Sequence, residues 1–134
     1  MNKIVLSVLI FLFSMNGFAQ DGVKFMEGSF QEALSVAKQQ KKMVFVDVCT
    51  SWCGPCKMMA EKVLPLKEVG EYMNERFVCI KVDMEKGEGP DLARKYKVTA
   101  YPTFLVLQAD GSLMQRVVGG TLDGKEFIQK VDAA

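Results

Sequence analysis

Apolar positions along this chain follow two patterns, a helical period and short unbroken runs, and the alternation between them predicts the elements. Residues 23–26, "VKFM", read as a short first strand. "SFQE" at 29–32 has the form of a capping box, and Phe30, Ala33, Leu34 and Ala37 then give the i, i+3, i+4, i+7 stripe of a helix running to about Gln40. "MVFVDVC" at 43–49 is nearly continuous in apolar residues, the pattern of a strand covered on both faces in a parallel sheet, with Asp47 as its one interruption. Cys56, Met59, Ala60 and Val63 share one helical face that Pro65 ends, and a second helical piece follows from about Lys67 to Glu75. "FVCIKVD" at 77–83 is a second buried strand, "EKGEGP" at 85–90 a loop, and Pro90 opens a short helix ending near Tyr96. "PTFLVLQ" and "LMQRVV" are strands joined by the Asp-Gly hairpin signal of "ADGS". "DGKE" at 123–126 caps a last helix carrying Phe127, Ile128 and Val131. The order βαβαβαββα predicts one α/β domain over residues 20–134, a central mixed sheet with parallel strands first and a C-terminal antiparallel hairpin, flanked by helices.

The first nineteen residues fall outside that pattern. They begin with Lys3, run apolar from Ile4 to Phe13 and close on small residues at Gly17 and Ala19, the layout of a signal peptide cleaved after Ala19. An apolar run of about ten residues is well short of the roughly 20 that cross a bilayer as a helix. Export to the periplasm is therefore expected. Cleavage removes one lysine and no acid, leaving 16 basic and 16 acidic residues, so the mature chain is neutral and a nucleic-acid partner loses its electrostatic basis.

An exported chain meets oxidising conditions, where cysteines form or exchange disulfides. Four cysteines fit two structural bridges as well as one catalytic pair. Three of them, Cys49, Cys53 and Cys56, lie in "CTSWCGPCK". Cys53 and Cys56 come directly after a buried strand, at the start of a helix. A thiol there sits near unsatisfied N–H groups and the positive end of the helix dipole, which favours the attacking thiolate form. Pro55 suits a first helical turn and Gly54 leaves little side-chain cover, so Cys53 is expected to be exposed and reactive and Cys56 more shielded. Attack by Cys53 on a disulfide would then be resolved by Cys56. Three rival readings are weaker. The C-x3-C-x2-C spacing of Cys49, Cys53 and Cys56 matches that of radical S-adenosylmethionine iron–sulfur sites, but those belong to much larger barrels. A four-cysteine zinc site with Cys79 shows only one of the usual two C-x2-C knuckles. An inert bridge between adjacent turns closes too small a loop to stabilise the fold.

"WCGPCK" at 52–57 resembles the active-site hexapeptide of thioredoxins, placed after the strand and before the helix as in that fold. The resemblance covers roughly residues 22–134. Asp47, six residues before Cys53, is similar to that family's buried aspartate; "YPT" at 101–103 to its cis-proline segment; and Gly119-Gly120 to the glycines before the last helix. The chain looks most like secreted thioredoxin-like proteins and the soluble domains of membrane disulfide reductases. Departures are Cys49 in place of an aromatic residue, Cys79 in place of a lysine near the buried aspartate, with Lys81 two residues on, and Tyr101 in place of an aliphatic residue before the proline.

The resemblance implies a thiol–disulfide oxidoreductase with Cys53 and Cys56 as its redox-active disulfide, without a bound cofactor or metal. Asp47 is expected to be buried, with a raised pKa, and to accept the proton of Cys56. Trp52, Gly54, Pro55, Tyr101 and Pro102 are expected to bind the client. Cys49 and Cys79 are read as small core residues. Partners are disulfide-containing proteins and a membrane or envelope thiol reductant, with the chain itself expected to act as a monomer. The chain has no histidine. Strong oxidants of this fold commonly place one between the cysteines, so reduction of clients is favoured over oxidation or isomerisation. The rival class is a non-catalytic module that holds a client or a metal.

Overall fold

The computed structural model describes residues 21–133, and the leader expected over residues 1–19 lies outside the described residues. Helix α1 spans Phe30–Gln40, strand β1 Met43–Cys49, α2 Gly54–Lys62, α3 Lys67–Arg76, β2 Phe77–Asp83, α4 Gly89–Tyr96, β3 Thr103–Leu107, β4 Leu113–Val118 and α5 Gly124–Asp132. The sheet order is β2-β1-β3-β4. β1 runs parallel to β2 and antiparallel to β3, and β3 runs antiparallel to β4.

Helix boundaries follow local chemistry. Ser29 caps α1 by accepting from the Glu32 N–H while Glu32 accepts from the Ser29 N–H, a complete capping box. From far along the chain, Glu88 Oε1 accepts the Phe30 N–H at 2.7 Å and satisfies a further free donor of that helix start. Asp123 caps α5 by accepting from Lys125 and Glu126. α2 stops at Lys62, before Pro65, whose ring disfavours helical geometry in the preceding residue.

Two apolar layers cover the sheet. On one face Val44, Val46 and Val48 of β1 pack with Phe30, Leu34 and Ala37 of α1 and Leu92 and Tyr96 of α4. On the other, Phe45 packs with Met59 of α2, Met73 of α3, Phe104 of β3 and Phe127 of α5. The rings of Phe104, Phe127 and Phe77 lie 5.5, 6.0 and 6.1 Å from that of Phe45. Alternation along β1 puts Asp47 on the Phe45 face, toward α2.

Two expectations change. Residues 23–26 form a single parallel bridge, Phe25 to Cys79, rather than a strand, because Gly28 at φ +134° turns the chain away into the cap of α1. The unbroken apolarity of β1 reports coverage on both faces, not direction, since only one of its two neighbours is parallel. Fully buried β3 is antiparallel on both sides.

Phe45 is fully buried at the centre of the aromatic layer. Phe45→Ala should lower unfolding free energy in urea by about 3–5 kcal/mol, the usual cost of emptying a large aromatic site. A loss below about 1 kcal/mol would mean that the layer collapses into the cavity.

Candidate active site

The end of β1 delivers the chain to the site. After Cys49 it turns through Thr50, Ser51 and Trp52, and Cys53 becomes the N-cap of α2. Cys53 Sγ accepts the Cys56 N–H at 3.1 Å. A sulfur in that position receives one of the free donors of the helix start as well as the dipole, both of which stabilise negative charge on it. Cys53 and Cys56 form a disulfide across the first turn, their Cα atoms 5.3 Å apart. The two residues are 7% and 6% exposed, so the expected contrast between an open first cysteine and a shielded second one is absent in the oxidised state. What distinguishes them is position on the helix. Pro55 lies in the first turn, where its missing N–H costs nothing. A Cβ placed on Gly54 would meet nothing within 4 Å, so the surface beside the bridge is open.

Beneath the bridge is a cavity of about 270 Å³ bordered by Asp47, Cys49, Cys53, Cys56, Lys57 and Lys81, among others. Asp47 is 2% exposed. Its burial raises its pKa; a hydrogen bond donated by the Cys49 thiol to Oδ1 at 3.0 Å and the charge of Lys81 pull the other way. Lys81 stands opposite Asp47 in the β1–β2 register. Burial and the adjacent Asp47 carboxylate push the Cys49 thiol well above the ordinary cysteine range, and burial pushes Cys79 up to about 12. Neither thiol is therefore a nucleophile near neutral pH.

Cys79 is a core residue as expected, whereas Cys49 is half-buried and engaged with Asp47. Sequence reading missed that contact, because alternation puts Cys49 on the face of Asp47 without showing that its thiol turns to the carboxylate.

Trp52 is 67% exposed. Its indole N–H donates to the Glu85 carboxylate, and its ring meets that of Tyr101 edge to face at 6.0 Å. Glu85, in the turn after β2, carries no motif that would have marked it. The Tyr101–Pro102 peptide is cis, and the Pro102 carbonyl accepts the Gly119 N–H at 2.9 Å. The glycine pair packs toward α2: a Cβ on Gly120 would meet Met59 at 3.2 Å, and Met59 Sδ accepts the Thr121 N–H at 3.3 Å. Asp47, Cys53 and Cys56 thus border one cavity, and Trp52 and Tyr101 form a separate contact at the surface. Among the described residues, no three His, Cys, Asp or Glu side chains are grouped to hold a metal ion.

A family model described as a thioredoxin-like domain matches residues 30–134. Chloroplastic thioredoxin Y1 of Arabidopsis thaliana is 40% identical over 91 residues, which is 68% of this chain and 49% of the relative. The chain therefore spans about half the length of that curated relative. Among solved structures, a candidate disulphide-isomerase of Bacteroides thetaiotaomicron superposes with a TM-score of 0.75 at 46% identity, covering 84% of this chain and 92% of the other. The oxidised C-terminal domain of DsbD from Neisseria meningitidis superposes with a TM-score of 0.64 at 28% identity, covering 76% and 89%.

The direction of the Asp47 shift fixes a pH dependence. Folding raises its pKa above the ordinary 3.8, so the ionised carboxylate weakens the fold at any pH above the folded pKa, and this penalty vanishes as pH falls toward 3.8. Asp47→Asn should therefore be more stable than the parent at neutral pH in urea titrations, with the advantage shrinking on acidification. An advantage that grows toward acid pH would contradict the buried-carboxylate assignment.

Proposed function

Because the chain belongs to the thioredoxin-like family, we propose that it is a thiol–disulfide oxidoreductase that reduces protein disulfides with Cys53 and Cys56. The observation that carries this reading is the Cys53–Cys56 disulfide at the N-terminus of α2, over a cavity bordered by the buried Asp47. In the reduced protein the Cys53 thiolate attacks one sulfur of a client disulfide; a bond forms to that sulfur, and the second client sulfur leaves as a thiolate. Cys56 then yields its proton to the Asp47 carboxylate and attacks Cys53. The Cys53–Cys56 bond forms, the first client sulfur departs as a thiolate, and the client has gained the two electrons that the dithiol lost.

Client docking is assigned to Trp52, Gly54, Pro55, Tyr101 and Pro102. The exposed indole, held by Glu85 and Tyr101, offers a flat apolar surface whose orientation is fixed before binding. The open side of Gly54 leaves room for a client chain to approach the sulfurs.

The reducing direction rests on what stabilises the thiolate. Cys53 has the helix start and the Cys56 N–H, and the chain has no histidine to add more. A modestly stabilised thiolate keeps the couple toward the thioredoxin end of a range that runs about 150 mV to the strong oxidants, or about 7 kcal/mol for two electrons. The leader-like residues 1–19 and the likeness to the DsbD domain support work in the cell envelope after cleavage near Ala19, recharged by a membrane or envelope thiol donor. No helix among the described residues is long and apolar enough to cross a membrane.

Iodoacetamide should label Cys53 first in the reduced protein near neutral pH, read by peptide mass, and Cys56→Ser should accumulate client joined to Cys53. First labelling at Cys56 or Cys49 would refute the assigned roles. In the insulin assay with dithiothreitol, the protein should accelerate precipitation and Cys53→Ser should not, whereas a binding module would leave the rate unchanged. Equilibration with glutathione should place the couple well below glutathione's own potential; a value near the strong oxidants would reverse the proposed direction.

A further inference from the structure

The first cysteine of "CTSWCGPCK", Cys49, is unused by the exchange reaction yet touches its machinery. Cys49 is the last residue of β1 and borders the same cavity as Cys53, Cys56 and Asp47. Its thiol donates to Asp47 Oδ1 at 3.0 Å. We propose that Cys49 is a positioning residue for the resolving step, its S–H holding one oxygen of the Asp47 carboxylate and so orienting the group that takes the proton of Cys56.

The proposal rests on the reading of Asp47 as proton acceptor. A buried carboxylate with no donor would be held protonated by desolvation and could not accept a proton. Two features oppose that here, the Cys49 thiol and the charge of Lys81 across the β1–β2 register. The remaining charged or titratable groups that border the cavity are Lys57 from α2, Asp83 from β2 and the redox cysteines themselves. The arrangement is reciprocal. A donor that stabilises the carboxylate is itself held as a thiol by that carboxylate, so Cys49 stays protonated beside the redox disulfide and does not compete with Cys56 for it. A hydroxyl can replace the thiol in this role, and a methyl group cannot.

Three proteins separate the possibilities: the parent, Cys49→Ala and Cys49→Ser. In the oxidised state Cys53 and Cys56 do not titrate, so carboxyl carbon NMR reads Asp47 without their interference. Cys49→Ala should titrate at higher pH than the parent, and Cys49→Ser at the parent's pH or below. Stopped-flow release of client from the Cys53 mixed disulfide should slow about fivefold in Cys49→Ala on the acid side of its profile, the factor of one modest hydrogen bond, with no loss on the alkaline plateau. Cys49→Ser should restore it. In an Asp47→Asn background the Cys49→Ala effect should disappear.

An unmoved carboxyl signal in Cys49→Ala, or equal shifts in the alanine and serine variants, would overturn the proposal, the second because it would mark a packing effect. If Asp47→Asn slows release while the signal does not move, the Cys49 role alone fails. If the signal moves but Asp47→Asn leaves release unchanged, the proton-acceptor reading fails and takes the kinetic role of Cys49 with it.

Discussion

Holding a carboxylate at the middle of a strand that is covered on both faces takes Asp47 out of water, and the site is organised around what that desolvation demands. A charge so placed needs a partner, a donor or a proton. The structure supplies a donor in Cys49, two residues on along the same face, and the nearby charge of Lys81, opposite in the register. Cys49 shares a strand face with Asp47, as residues two apart do, and Lys81 borders the same cavity with its ammonium over the Phe25 ring.

The same strand fixes where the cysteine pair stands. β1 ends at Cys49, and the three residues between it and Cys53 turn the chain into α2, so the first turn of that helix sits over the end of the sheet. Cys53 Sγ there meets the Cys56 N–H and the positive end of the dipole. The buried Asp47 borders the same cavity. The two residues, 7% and 6% exposed, differ little in access to solvent. Electrostatics separates them instead: Cys53 is placed where negative charge is favoured, and Cys56 one turn further in.

Rigid elements support the surface beside the bridge. Met59 of α2 receives the Thr121 N–H, which ties the glycine loop to the helix carrying the cysteines. Trp52 is held at two points, by Glu85 after β2 and by Tyr101 before β3. Segments distant in sequence thereby meet within one aromatic contact of the redox pair. Such a surface loses little conformational freedom when another chain lies on it.

Local patterns in the chain already carried the helices, the N-terminal caps of α1 and α5 and the four strands, since caps, apolar stripes and Asp-Gly turns depend on residues a few positions apart. The Cys-Gly-Pro-Cys step after a buried strand was equally local, and with it the pairing of Cys53 and Cys56. Other features depend on partners across the sheet. Whether β3 lies parallel or antiparallel to β1 is decided by which edge the chain returns to, and an apolar run covered on both faces reads the same either way. The first strand shrank to one bridge at Phe25 because Gly28 bends the chain toward a cap, which the apolar pattern of residues 23–26 does not register. Glu85 on Trp52, Lys81 opposite Asp47 and the Cys49 thiol on Oδ1 were settled only by packing. Sequence names the groups that can bond, and the packing of segments distant in the chain selects which of them do.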